Sequence, residues 1–410
     1  MSISRISQIY EHEGILGFYS RLRFPKARRE GALVGPITQE VQILSPDGQR
    51  ADVLAQLLDL ASRDVVPADQ SGLHTRFHLD PDIYSGHRYA PNDVLILTDR
   101  TSYHAGQLKV VAEQCHAIIE TSEARFRTIS EMQVAGGRLF LARADDEGFR
   151  QGIYRFLLSS GAIDWDTADW RQLLSDTRSD EVQKFCLSLP ETLSRRQSFL
   201  AQGLSDFRIL DGIRLEQGWI GAALGYRALA EACLARGVQQ AIVCEDDVSV
   251  APGFRQRLDT VREYLGRVEW DVFSGLSSHV GPDYRVTRVE HYKGETFVHL
   301  DRTTGMVFNI YNRRALAHLA GWRVAEHGAQ GITIDRHLEA MPNMRVVTTL
   351  PFLVDHSDHL ASAAWSFDNR RYRSLISASQ HRLTQMLAEF DAGPSLAGSG
   401  LTPPAPAGTR

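Results

Sequence analysis

From Lys184 onward, short apolar runs alternate with stretches of helical periodicity, and that alternation limits the fold more than any other feature of the chain. Residues 184–189 predict a strand, 218–236 a helix with Leu224, Ala228, Leu229 and Ala232 on one side, and 240–244 a second strand. Residues 270–273 and 306–311 read as two more strands. Short strands joined through helices belong to a largely parallel sheet with crossover helices, an α/β architecture.

Ahead of this region, residues 164–182 are acidic and polar, with Asp164, Asp166, Asp169, Asp176, Asp180 and Glu181 preceding the apolar run at Phe185. A domain boundary is placed there. A chain of 410 residues is long enough for two or three domains. The division is 1–180, 181–390 and a tail, 391–410. The tail is rich in Gly, Pro, Ser and Ala and contains Thr402-Pro403-Pro404-Ala405-Pro406. It cannot bury enough apolar surface to offset its ordering entropy and is expected to be disordered.

In the first unit, residues 93–97 and 137–142 read as strands. Asp145-Asp146-Glu147 then opens a helix carrying Phe149, Ile153, Phe156 and Leu157 at helical spacing. Acids in a first turn are favoured by the orphan N–H groups there, and a metal is the alternative reading of the trio. The basic residues Arg21, Arg23, Lys26, Arg28 and Arg29 are either a solvated face or a contact for anionic lipid or polysaccharide phosphate. The unit is α/β or α+β, an accessory domain whose chemistry is not legible.

Net charge −5 excludes general nucleic-acid packaging, which needs a large positive field. Apolar content of 43% is enough to build a core. No stretch approaches the length of apolar residues that spans a membrane, and the first 25 residues carry no apolar leader segment. Cys115, Cys186, Cys233 and Cys244 show no metal-binding spacing and read as free thiols of a reducing compartment. The expected location is the cytoplasm, with peripheral association at the inner face of the membrane left open.

The chemistry concentrates where the 240–244 run stops at Glu245-Asp246-Asp247. Alternation along an extended backbone predicts Glu245 and Asp247 on one face and Asp246 on the other. In an open parallel sheet, ligands sit beyond the carboxyl ends of the strands. Three adjacent negative charges need compensation, which a hard divalent ion, Mn²⁺ or Mg²⁺, supplies through oxygen ligands that also bridge to a diphosphate. The competing reading is a solvated loop whose acids cap the next helix near Pro252-Gly253-Phe254.

Several further segments occur in the order and spacing of one family. They are Cys186-Leu187-Ser188-Leu189 followed by Ser194-Arg195-Arg196, Phe207–Gly212, Gly218-Trp219-Ile220-Gly221, Ile242–Val248 with its Glu-Asp-Asp core, Thr304–Ile310, Ile334-Asp335 and Pro351–Val354. Together they resemble glycosyltransferase family 25, which includes lipopolysaccharide and lipooligosaccharide galactosyltransferases, over about residues 182–365. Three positions depart from the family pattern. Leu224-Gly225-Tyr226 replaces a Leu-Ser-His, Ala222 stands where a cysteine is usual, and Asp355-His356 stands where a glutamine is usual.

The resemblance implies a GT-A-like, Rossmann-like sheet with helices on both faces. It also implies inverting transfer from a nucleoside-diphosphate sugar, with UDP-hexose the first expectation, to a glycan or glycolipid hydroxyl of a bacterial surface polysaccharide. It places Arg195, Arg196, Asp211, Glu245 and Asp246 at the donor, and Glu245 and Asp247 at the metal; His356, read from the polar cluster at 355–359 and not from the resemblance, is the candidate third metal ligand. Within Asp355–His359, His359 is an alternative imidazole, and both histidines read equally well as exposed loop residues. Asp335 is the expected base, with a helix cap as its other reading, and Asp271 is the substitute. Two other functions stay open: a non-catalytic nucleotide-sugar or glycan-binding protein of the same fold, and a metal-dependent phosphohydrolase.

Overall fold

The computed structural model describes residues 37–45, 48–83, 88–131, 138–174, 182–324, 332–360 and 370–391. The basic run 21–29, the 180/181 boundary and the tail beyond Asp391 lie outside the described residues.

The N-terminal half runs β1 (Glu40–Leu44), α1 (Gly48–Leu60), β2 (Asp64–Val65), β3 (Thr75–Leu79), β4 (Asp93–Leu97), α2 (Ala105–Gln114), β5 (Ala117–Glu120), α3 (Glu123–Glu131), β6 (Leu139–Leu141) and α4 (Asp146–Ser159). Its strands form a six-stranded sheet in the order β2-β1-β3-β4-β5-β6, parallel throughout. Strand side chains alternate between two cores. Val94, Ile96, Ala117 and Ile119 pack with Leu54 and Leu57 of α1 and Phe149 and Ile153 of α4. Leu95, Leu97, Ile118 and Leu139 pack with Leu108 and Val111 of α2 and Phe126 and Ile129 of α3. Helices therefore cover both faces, as continuous apolar strands require, and of the two readings of this unit the α/β one holds. Asp145 caps α4, its carboxylate accepting from the Gly148 N–H at 2.7 Å, and Asp146 and Glu147 fill the first turn.

The second half runs β7 (Val182–Ser188), α5 (Leu193–Leu200), β8 (Arg208–Asp211), α6 (Gly218–Ala235), β9 (Gln240–Glu245), β10 (Val248–Ser249), α7 (Phe254–Leu265), β11 (Val272–Ser274), β12 (Val286–Tyr292), β13 (Glu295–Leu300), β14 (Phe308–Asn312), α8 (Arg313–Ala320), α9 (Ile334–Glu339), β15 (Val346–Leu350), β16 (Asp355–His356) and α10 (Arg370–Asp391). Eight of these strands form a sheet ordered β12-β13-β15-β11-β14-β9-β7-β8. β7, β8, β9, β11 and β15 share one direction, while β14, between β9 and β11, runs against both, as β13 does against β15. The sheet is thus mixed rather than largely parallel. β10 and β16 form a separate antiparallel pair.

One continuous apolar core joins the halves, from Leu54 of α1 to Leu383 of α10. Buried Arg227 of α6 donates to the carbonyls of Trp165 and Asp166, each at 3.0 Å, so the acidic stretch after α4 is fastened to the second sheet. The four cysteines are buried and free. Among the described residues, no helix is long and apolar enough to cross a membrane.

Candidate functional site

β8 lies on one side of β7 and β9 on the other, so the chain reverses direction across the sheet between β7 and β9. Such a reversal opens a crevice at the carboxyl ends of the two strands. Those ends carry Ser188 and Glu245-Asp246-Asp247.

Arg195 of α5 is buried beneath this edge and holds both aspartates. Its Nε donates to Asp246 Oδ1 at 2.7 Å and its Nη2 lies 2.9 Å from Asp247 Oδ2. Asp246 also accepts from Ser188 Oγ at 2.6 Å. The alternation expected of an extended run fails here, because the backbone turns after Glu245 and one guanidinium reaches both neighbouring acids. The expectation that Arg195 and Arg196 meet a diphosphate is revised for the same reason. Arg195 is committed to Asp246 and Asp247, while Arg196 donates to the Ser188 carbonyl at 3.1 Å and to Asp211 at the end of β8.

His356 enters through the β10–β16 pairing, which sets Val248 against His356. Its Nε2 lies 3.1 Å from Asp247 Oδ2, and its ring packs edge-on against Tyr372 of α10 at 5.2 Å. His359 is exposed. Arg373 pairs with Asp358, a second tie between α10 and this segment.

The electrostatics follow from burial and charge count. Three acids against one arginine leave a surplus of negative charge. Burial disfavours the charge on Asp247, yet bonds from His356 and Arg195 outweigh it and hold that carboxyl well below its ordinary range. Among the described residues, no hydrogen bond of that kind reaches Glu245. Burial, then the charges of Asp247, Asp246 and Asp335, push its carboxyl up to about 8, with Arg195 opposing. Asp335 adds the smallest of these charges. Its own Oδ1 accepts from the Arg336 N–H at 2.9 Å at the start of α9.

Among the described residues, no three or more His, Cys, Asp or Glu side chains form a ready-made metal cage. A divalent ion at a diphosphate does not require one, being held by one or two carboxylates together with phosphate oxygens. The donor set fits that arrangement: Asp247 and His356 are in contact, and Glu245, whose burial and acidic neighbours favour its protonated form, would release that proton to a cation placed beside them. An ion shared by the two residues would replace the His356 Nε2–Asp247 contact, since the buried Nδ1, which has no hydrogen-bond partner among the described residues, faces away from that carboxylate. Asp246 does not fit as a ligand, its two oxygens being taken by Ser188 and Arg195.

Asp271 does not belong to the site. It opens β11, whose Val272 is level with Tyr311 and so with Ala241 at the start of β9, the end of the sheet opposite Glu245. There it accepts from Arg345 Nη2 at 3.0 Å and Arg314 Nη1 at 2.6 Å, a structural ion cluster. The expectation of Asp271 as a base is overturned by that placement.

Gly225 and Tyr226 both serve the packing of α6. A Cβ on Gly225 would meet Leu187 Cδ1 of β7 at 2.9 Å, so α6 lies close on the strand. Tyr226 is fully buried and donates to the Met306 carbonyl at 2.8 Å. Tyr226 was marked in the sequence only as a departure from the pattern of the resemblance, and Tyr372, Glu191 and Arg155 were missed as neighbours of the crevice. Only Glu191, just after Pro190 at a strand end, carried a positional signal.

No family model matches this chain, and no curated protein matches it. A solved structure titled "Crystal Structure of A197 from STIV" is 15% identical over 42% of this chain and 84% of its own, with a TM-score of 0.26. At that score the likeness carries no weight for fold or function.

Proposed function

We propose that this chain is an inverting, metal-dependent glycosyltransferase of GT-A-like fold, similar to family 25. It would move a sugar from a nucleoside-diphosphate donor, UDP-hexose first among them, to a glycan or glycolipid hydroxyl during synthesis of bacterial surface polysaccharide. The observation that carries this reading is the buried Glu245-Asp246-Asp247 triplet at the carboxyl end of β9, beside the end of β7 where the strand order reverses, with His356 against it. The ordered motif matches over residues 182–365 add the sugar-nucleotide chemistry, and the cytoplasmic side, where nucleotide sugars are made, is the proposed location.

Asp247 and His356, beside Glu245, would hold Mn²⁺ or Mg²⁺, which when bound supplies charge neutralisation for a departing diphosphate. Arg195 fixes the Asp247 carboxylate in place through Oδ2 and keeps Asp246 turned toward Ser188. Asp335, at the start of α9 and within electrostatic reach of Glu245, takes the proton of the attacking hydroxyl.

The test is a panel of nucleotide sugars assayed for nucleotide release with Mn²⁺, with Mg²⁺ and with chelator. Release from a UDP-sugar only with the ion is the expected result, and no release from any donor under any condition overturns the reading. A second reading, a nucleotide-binding protein without turnover, draws on Arg195, whose bonds occupy two of the three acids. UDP binding with no turnover across the panel would favour it. Phosphate release from simple esters without UDP affinity would favour the hydrolase.

A further inference from the structure

The loop after β7 reaches across to the N-terminal sheet. The Glu191 carboxylate accepts from the Leu141 N–H of β6 at 3.1 Å, Leu193 packs on the apolar cluster beneath α2 and α3, and Arg214 donates to the Leu139 carbonyl at 2.8 Å. β6 therefore abuts the loops that follow β7 and β8, and polar groups collect along that seam. Arg155 of α4 donates to the Leu141 carbonyl at 2.8 Å, while its Nη atoms stand 3.9 Å from Glu191 Oε1 and 3.7 Å from Asp211 Oδ2. Those separations are ion pairs beyond hydrogen-bond reach. The Arg155 and Glu191 side chains are each 5% exposed, and Glu191 Oε2 makes no hydrogen bond among the described residues. Asp211 stays ionised: burial opposes its charge, but Arg155 and Arg196 more than compensate. Exposed Arg143 stands at the rim of the seam and adds positive charge near Asp211.

The chemistry of this seam is acceptor-rich. Asp211 ends the second strand of the β7-α5-β8 unit, the position at which an acidic side chain accepts from ribose hydroxyls when a nucleotide lies across a strand-order reversal. Glu191 adds a second, unsatisfied acceptor. A buried carboxylate oxygen without a donor is costly, and a vicinal diol supplies two donors at once.

We propose that the N-terminal sheet forms one wall of the nucleoside seat, with Glu191 and Asp211 accepting from the ribose hydroxyls of the donor and Arg155 acting as the positioning residue for both. Residues 1–180 are then part of the donor site and not a detachable accessory. The inference rests on the nucleotide reading given above.

The experiment titrates the full chain, with Mn²⁺ present, with UDP and with 2′,3′-dideoxy-UDP. The wild type should prefer UDP by roughly tenfold to a hundredfold, the value of one or two hydrogen bonds to charged groups. Glu191→Gln and Asp211→Asn should each shrink that preference to below about threefold while leaving dideoxy-UDP affinity in place. Arg155→Met should do the same, with partial rescue by Arg155→Lys. A purely structural role would lower thermal midpoints without altering the ratio of the two affinities. Equal wild-type affinity for the two nucleotides, or variants that keep the full preference, overturns this inference alone. Absence of any nucleotide binding by the wild type removes the nucleotide reading itself.

Discussion

Taking away the Arg195 guanidinium would leave Asp246 and Asp247 buried with no cation between them. Breaking such a pair from one side costs roughly 3–5 kcal/mol, so Arg195→Ala should lower the urea midpoint by that equivalent, with the loss reduced in Asp246→Asn/Arg195→Ala. Asp271 offers the contrast. Burial works against its charge, but Arg345 and Arg314 hold its folded-state carboxyl below the ordinary range. A depressed carboxyl contributes stability that is complete above its unfolded value, about 4, and is lost as pH falls through the folded value. Asp271→Asn should therefore cost roughly 1–3 kcal/mol at pH 7, converge with the wild type in acid, and leave UDP affinity unchanged at pH 7. Both residues were visible in the sequence as charges near strands, but their assignments differed in quality. Arg195 lies 51 residues from Asp246 and its bonds depend on the β7–β9 pairing. The distance of Asp271 from the site depends on strand direction, which residue types do not encode.

At the level of elements, α6 is set by two close approaches. A Cβ on Gly221 would lie 2.2 Å from the Ile213 carbonyl oxygen, which backbone cannot evade, whereas one on Gly225 meets only the tip of Leu187. Gly221→Ala should cost roughly 1–3 kcal/mol or more from overpacking. Gly225→Ala should be near neutral, since the gain in helix propensity of about 1 kcal/mol offsets a side-chain adjustment. Chemical denaturation of the two variants checks the pair. The helix over 218–236 and the strands at 184–189 and 240–244 were legible because apolar periodicity reports burial directly. β14 was legible as a strand but not as an antiparallel one: a strand buried on both faces reads alike in either direction, and its orientation is decided by how the chain returns to the sheet. The hairpin β12–β13 went unread because its outer strand is half exposed and mixes charged with apolar residues. His356 was singled out, while the reason it reaches Asp247, a two-residue pairing with β10, has no sequence signature.

Taken whole, the chain places two α/β sheets around one core. The composition shift at 164–182 marks where the chain passes from one sheet to the other, yet the hydrogen bonds of Arg227 and Arg214 and the ion pairs of Arg155 with Glu191 and Asp211 join the halves across that passage. Because the apolar core is continuous, far-ultraviolet circular dichroism and tryptophan fluorescence should report one coincident unfolding transition, and two separated transitions would show independent halves. The central claim concerns the acidic edge at β7 and β9, and calorimetric titration of UDP into the wild type and into Asp247→Ala, each with and without Mn²⁺, tests it most directly. The expected result is an affinity raised at least about tenfold by Mn²⁺ in the wild type and unaffected by it in Asp247→Ala. UDP binding that is absent, or equally strong with and without the ion in both proteins, would contradict it.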